Sequence, residues 1–319
     1  MATGRDGTGA STNGRAGAAS LELHLGRGVF ATSRHLSGVV VFRLSKPTSI
    51  RSIVVSVSGR ETPSGASLSR ALRGTSSFFS RDVLLSGREQ PRFASDRASQ
   101  FWNAFLGRDT GRMLSPGEHT YPFSIPLPAS LPPSYEGRAG KIEYTAAARV
   151  QFPTGRVMRV SRVAPVVAVP RTARAQPVAL SYPTAGGTVH TSAVSVNLEL
   201  PDRTIELGHG ISGRFSIANP KGVEIGEIEV SLETVEWVRL TSDRELQRQC
   251  ADSCEIRPDD PAAAEISADF KLGVPASFRP SVEGTAISVI WFLKLSLGTD
   301  PPLELKTPIT VYASAPEQD

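Results

Sequence analysis

The stretch Phe123-Ser-Ile-Pro-Leu-Pro128-Ala-Ser-Leu-Pro-Pro133-Ser-Tyr-Glu136-Gly137 returns 147 positions later as Phe270-Lys-Leu-Gly-Val-Pro275-Ala-Ser-Phe-Arg-Pro280-Ser-Val-Glu283-Gly284. Eight of the fifteen positions are identical at this one offset, with no gap: Phe123/Phe270, Pro128/Pro275, Ala129/Ala276, Ser130/Ser277, Pro133/Pro280, Ser134/Ser281, Glu136/Glu283 and Gly137/Gly284. Each copy runs into an apolar segment, Lys141 to Val150 in the first and Ala286 to Leu295 in the second. Two copies at so long an offset predict two similar domains rather than a solenoid, whose repeats run to about 20–50 residues. Within each copy the prolines stop strand pairing at a sheet edge, and Gly137 or Gly284 permits a tight reversal into the next strand.

The 319 residues suit two domains, each of about 150 residues and long enough to bury its own core. Hydrophobic content of 39% with 24 Pro and 28 Gly indicates a soluble, turn-rich chain, and no apolar run reaches the ~18 residues of a membrane span. Val and Ile recur at period two between Gly, Pro and Ser, as in Gly38–Leu44, Ser49–Ser58 and Arg156–Val163. Ala193–Leu200, Gly210–Ile217 and Glu227–Glu236 repeat the style in the second half. That pattern predicts half-buried antiparallel strands and an all-β fold of two immunoglobulin-like sandwiches in tandem.

The expected boundaries are a disordered leader over 1–20, a sandwich over 21–172, a hinge over 173–180, a sandwich over 181–315 and a tail over 316–319. Without an apolar core the leader does not resemble a signal peptide, which implies a cytoplasmic protein. One short helix is predicted in the first domain over Asp96–Gly107, where Phe101, Trp102, Phe105 and Leu106 fall at helical spacing. Ser95 or Asp96 would cap it and Gly107 would end it. Its apolar face either packs on a sheet or meets a partner or membrane.

The residues of an enzyme are not found. There is no Gly-x-Ser-x-Gly elbow, phosphate-cradling Gly-rich loop, His-Glu-x-x-His or acidic calcium loop. The histidines His24, His35, His119, His190 and His209 are scattered, and Asp259-Asp260 sits in a turn-like Arg-Pro-Asp-Asp-Pro. Cys250 and Cys254 would share one helical turn, but no histidine lies near them in sequence to complete a zinc site. They read as two reduced thiols in a loop, with no metal and no cofactor expected.

Charge separates the halves. Leu21–Ala173 carries 21 Lys or Arg against 9 Asp or Glu, and Arg174–Asp319 carries 12 against 21, giving +12 and −9. A basic domain beside an acidic one suggests that the first recruits an anionic partner. No nucleic-acid module accompanies the charge, so protein binding ranks above nucleic acid.

The block Pro116–Gly137, followed by Ile142-Glu-Tyr144, resembles the arrestin family in its α-arrestin form. Gly38–Leu44 with Ile53–Gly59, and Ile205–Asn219 with Ile228–Leu232, are similar to the early strands of that family's two domains. The helix at Asp96–Gly107 stands where β-arrestins carry theirs. The resemblance covers residues 21 to 313 and implies two sandwiches joined by a hinge, no catalysis, and an adaptor role toward membrane-protein tails. Pro132-Pro-Ser-Tyr135 formally matches a WW-domain ligand. It is assigned here to the fold motif, because the second copy reads Arg279-Pro-Ser-Val282 at the same place.

The function expected is a non-enzymatic adaptor whose basic first sandwich receives an acidic or phosphorylated segment through long loops over Arg60–Arg92. Arg70, Arg73, Arg81 and Arg88 are the candidate contacts, because guanidinium forks suit carboxylate and phosphate oxygens. One alternative is a peripheral protein at an anionic membrane, using the basic face and the Phe101, Trp102 and Phe105 helix. Another is a structural component of the kind found in sporulation-control proteins and retromer subunits.

Overall fold

The computed structural model describes residues 14–16, 19–64, 75–87, 111–168, 178–183, 194–239 and 243–314. Among them every regular element is a β-strand. The first part of the chain gives β1 (Gly14–Ala16), β2 (Ala19–Leu25), β3 (Phe30–Ala31), β4 (His35–Leu44), β5 (Thr48–Ile50) and β6 (Ser52–Pro63). It continues with β7 (Ser76–Gly87), β8 (Arg112–Leu114), β9 (Gly117–Pro126), β10 (Tyr135–Gly137), β11 (Gly140–Gln151), β12 (Val157–Val163) and β13 (Val166–Val167). The second part gives β14 (Val178–Pro183), β15 (Ser195–Leu200), β16 (Thr204–Glu206), β17 (Gly210–Ala218) and β18 (Ile228–Arg239). It ends with β19 (Asp243–Ile256), β20 (Glu265–Gly273), β21 (Val282–Glu283), β22 (Ile287–Leu297) and β23 (Leu303–Tyr312).

The chain divides into two compact units. The first holds the described residues up to Glu61, then Thr75–Ser134 and Ile142–Val166. The second holds Thr62–Ser64, the hairpin Tyr135–Lys141 and the described residues from Val167 onward.

In the first unit the sheet β1-β2-β4-β9 faces a second sheet in which β6 lies between β7 and β11, with β12 on β11. The period-two residues face inward: Leu21 and Leu23 on β2, Val40 and Phe42 on β4, Val55 and Val57 on β6, and Tyr144, Ala146, Ala148 and Val150 on β11 are all buried. Each large side chain among them stabilises the fold by about 1.5–3 kcal/mol through burial. In the second unit β14-β15-β17-β20 packs with β16-β23-β22-β18-β19, and β21 pairs with β22. Phe215, Ile217, Val230, Leu232, Trp291 and Leu293 fill its core. Only β16, which runs parallel to β23, departs from the antiparallel pattern among the registered pairs.

Several sequence expectations are adjusted. Gly14–Ala16 fold back on β2 with Gly14 opposite Leu21, so strand structure begins inside the expected leader. Residues 178–180 of the expected hinge belong to β14, which pairs with β15. Cys250 and Cys254 lie on β19, opposite Glu233 and Val230, rather than in a loop. The segment Asp96–Gly107, with Phe101, Trp102 and Phe105, lies outside the described residues.

The duplicated motif does the same physical work in both units. Phe123 sits opposite Gly38, and Phe270 opposite Gly213. A Cβ on Gly38 or Gly213 would stand 2.7 Å from the ring of its partner phenylalanine, so glycine makes room for the aromatic. The amide of Leu127 donates to Arg34 O and receives Ser33 N at its carbonyl. Val274 repeats both bonds with His209 and Gly208. Tyr144 donates its hydroxyl to Pro132 O at 2.6 Å, and Trp291, 147 positions on, donates Nε1 to Arg279 O at 3.0 Å. Ser134 brackets Val166 with its own amide (2.7 Å) and Oγ (2.9 Å), as Ser281 brackets Val311 at the same distances. Ser134 and Ser281, like Leu127 and Val274, thus satisfy backbone groups at the same corner of each sandwich.

These bonds also use up the apparent WW ligand. Pro133 and Tyr135 are buried, Pro132 O is taken by Tyr144, and the Tyr135 hydroxyl donates to the Glu236 carboxylate at 2.7 Å.

Candidate functional site

Several described cations of the second unit have carboxylate partners. Arg214 forks onto Asp269 at 2.7 and 2.9 Å, Arg248 reaches Glu233 and Glu245, and Lys294 reaches Glu304 at 2.8 Å. These contacts raise the Arg214, Arg248 and Lys294 pKa values, in each case chiefly through the hydrogen bond to the carboxylate. In the first unit Arg43 is neutralised similarly, lying between Glu118 and Glu22 on neighbouring strands. The Glu22 carboxyl is held below its ordinary range, first by its bond to His24 and further by Arg43.

The hairpin β11–β12 breaks this pattern. Arg149 on β11 lies directly opposite Arg159 on β12, both are exposed, and neither has an ion pair with a described carboxylate. Like charges directly opposite each other destabilise an antiparallel pair. Alternation explains the placement: Ala146, Ala148 and Val150 point into the core, so Arg149 points out, and Met158 and Val160 do the same for Arg159.

The turn brings a third arginine. Phe152 N donates to Arg156 O at 2.9 Å, Gly155 N donates to Phe152 O at 3.0 Å, and Gly155 adopts φ +81°, the left-handed region suited to glycine. The Arg156 guanidinium stands 5.9 Å from the centroid of the Phe152 ring, which in turn lies 6.5 Å from the buried Phe42 ring. Arg156 is therefore supported from the core. Val157 (48% exposed) and Val163 (52%) flank Arg159 on the same outer face, giving a strip of apolar and cationic groups.

Of the arginines expected from sequence, Arg81 is exposed but belongs to strand β7, opposite Val57, and not to a loop. Arg70, Arg73 and Arg88 lie outside the described residues. Sequence reasoning missed Arg149, Arg156 and Arg159, although a signal was present: no Asp or Glu occurs between Glu143 and Glu199, while six arginines do.

Burial raises the Cys250 and Cys254 thiols above their ordinary range, so both stay protonated near neutrality. No group of three or more His, Cys, Asp or Glu among the described residues is placed to hold a metal ion. No helix among them is long and apolar enough to cross a membrane.

The family model for the arrestin (or S-antigen) N-terminal domain matches residues 21–171, and that for the arrestin C-terminal domain matches residues 190–316. Arrestin domain-containing protein 1 of Rattus norvegicus is 30% identical over 140 residues, which cover 44% of this chain and 27% of that protein. Arrestin domain-containing protein 17 of Caenorhabditis elegans is 27% identical over 128 residues, 39% of this chain and 28% of that protein. An arrestin domain-containing protein of Schizosaccharomyces pombe is 24% identical over 213 residues, 66% of this chain and 34% of that protein. The matched stretches thus span about a quarter to a third of these relatives.

Proposed function

Because the chain belongs to the arrestin family, we propose that it is a non-enzymatic adaptor that receives an acidic or phosphorylated segment of a partner protein on the Arg149, Arg156 and Arg159 hairpin. The observation that carries this reading is the exposed cross-strand pair of arginines without a described carboxylate between them. Such a pair costs stability when empty and gains charge-assisted hydrogen bonds when a phosphate or carboxylate enters. Val157 and Val163 add apolar contact beside it. Arg81 on β7, with Arg70, Arg73 and Arg88, are further basic positions that the reading assigns to the same partner. The expected setting is the cytoplasm, on tails of membrane proteins.

The test is binding of a library of phosphorylated and unphosphorylated tail peptides. Phosphorylated peptides should bind more tightly, weaken as salt rises, and lose about tenfold in affinity with Arg149→Ala or Arg159→Ala. Binding indifferent to phosphate, salt and both substitutions would remove the proposal. Recruitment by anionic vesicles in place of peptide would transfer the hairpin to a lipid surface.

A further inference from the structure

The two units differ at one corner, where Gly208 at φ +86° and Gly210, whose Cβ would stand 3.0 Å from Leu272 O, have backbone reasons for glycine and Gly273 has none. Gly208 and Ser33 are equivalent, since each amide donates to the matched carbonyl, Val274 O or Leu127 O. Gly210 pairs with Gly273 where His35 pairs with Pro126. At all three positions the second unit has glycine where the first has a side chain. The backbone does not demand it at Gly273: φ is not in the left-handed region, and a Cβ there would meet only Asp252 Oδ2 at 3.5 Å, an ordinary contact. A glycine that neither torsion nor crowding calls for leaves backbone open to close approach by a ligand or another backbone.

These glycines border a furrow. One cleft of roughly 790 Å³ lies between Gly208–Gly210, the end of β20 and Ala251–Asp252. A second of roughly 270 Å³ shares His209 and Gly210 and extends to Asp202, Glu206 and Tyr312. Ala251 is the unpaired residue of a bulge in β19, between Cys250 opposite Glu233 and Asp252 opposite Leu232. Asp252 is fixed there by amides, Gly273 N at 2.6 Å and Ser253 N at 2.9 Å. Asp202, Glu206 and Asp252 line the furrow against the single cation Lys271, and His209 lies 3.8 Å from Glu206.

We infer that this furrow docks an extended, Lys- or Arg-bearing peptide of a partner protein. Bare glycine backbone admits a second backbone, and the excess of carboxylates selects cationic side chains. The surface is distinct from the arginine hairpin and has the opposite charge preference.

The probe is a short fluorescent peptide alternating Ser and Lys, compared with its Ser and Glu counterpart by anisotropy on the full chain. The Lys peptide should bind and the Glu peptide should not. Gly273→Val should lower affinity about tenfold by filling the furrow, and Glu206→Gln about threefold. Arg149→Glu should leave this binding unchanged, which separates the furrow from the hairpin. If Gly273→Val fails to fold, Lys271→Glu, on an exposed side chain, should strengthen binding of the Lys peptide instead. Equal binding of the two peptides, no binding of either, or indifference to Gly273→Val in a folded protein or to Lys271→Glu overturns the inference.

Discussion

The Tyr135 hydroxyl donates to the Glu236 carboxylate at 2.7 Å within the second unit, and Ala139 N donates to the same oxygen at 3.1 Å. Glu236 is only 5% exposed and occupies a core-facing position of β18, opposite Val289. A carboxylate there is tolerated because the Tyr135–Lys141 hairpin supplies its donors. Tyr135→Phe should therefore cost about 1–3 kcal/mol, and Glu236→Ala more, since it also leaves the phenol unpartnered. Urea denaturation of the purified chain measures both. A Tyr135→Phe protein as stable as the parent would show that the bond contributes nothing.

The same tyrosine gives the protein a limit at high pH. Burial first, and then the Glu236 carboxylate, push the Tyr135 phenol above its ordinary range; burial and Glu61 do the same to Tyr144. An unfolded phenol ionises at about 10, so the unfolded state releases protons that the folded state retains. Stability contributed by these groups is complete below that pH and declines as pH rises above it. Thermal melts across the alkaline range should fall more steeply for the parent than for Tyr135→Phe.

Ser33 adopts φ +63°, while its counterpart in the second unit is Gly208 at φ +86°. A side chain in the left-handed region costs roughly 1 kcal/mol that glycine avoids. Ser33→Gly should stabilise the chain by about 0.5–1 kcal/mol, and Gly208→Ser should destabilise it. Paired denaturation curves test the signs.

Tyr144 and Trp291 occupy one role in two units, each donating to the carbonyl two residues before the motif serine. Tyr144→Phe and Trp291→Phe should each leave that carbonyl without its donor and cost about 1–3 kcal/mol, with Trp291→Phe adding a packing loss. Ser134→Ala and Ser281→Ala should resemble one another for the same reason. A pair responding in opposite directions would show that the copies are not mechanically equivalent.

Arg159→Glu should divide stability from binding. It places an opposite charge across from Arg149 and should stabilise the hairpin by up to about 1 kcal/mol, while abolishing preference for a phosphorylated peptide. Calorimetry and peptide binding on one preparation give both readings.

The two sandwiches were legible in the sequence because a period-two pattern and a fifteen-residue repeat report local backbone needs. Phe123 over Gly38 and Ser134 at Val166 use the same residue types as Phe270 over Gly213 and Ser281 at Val311, so the duplication showed in the letters. The arginine hairpin was partly legible, as an acid-free run. Its decisive feature was not, because Arg149 and Arg159 are ten positions apart and become neighbours only through strand register.

The sequence alone therefore determined that this protein has two related β-sandwiches with opposed charge, since burial pattern, turn residues and net charge are properties of short stretches or of composition. Only the tertiary structure decided which charges are neutralised, where three glycines border a furrow, and that Tyr135 serves a buried Glu236 instead of a WW domain. Those facts depend on pairing between residues distant in the chain, and register, burial and hydrogen-bond partners arise only when the strands meet.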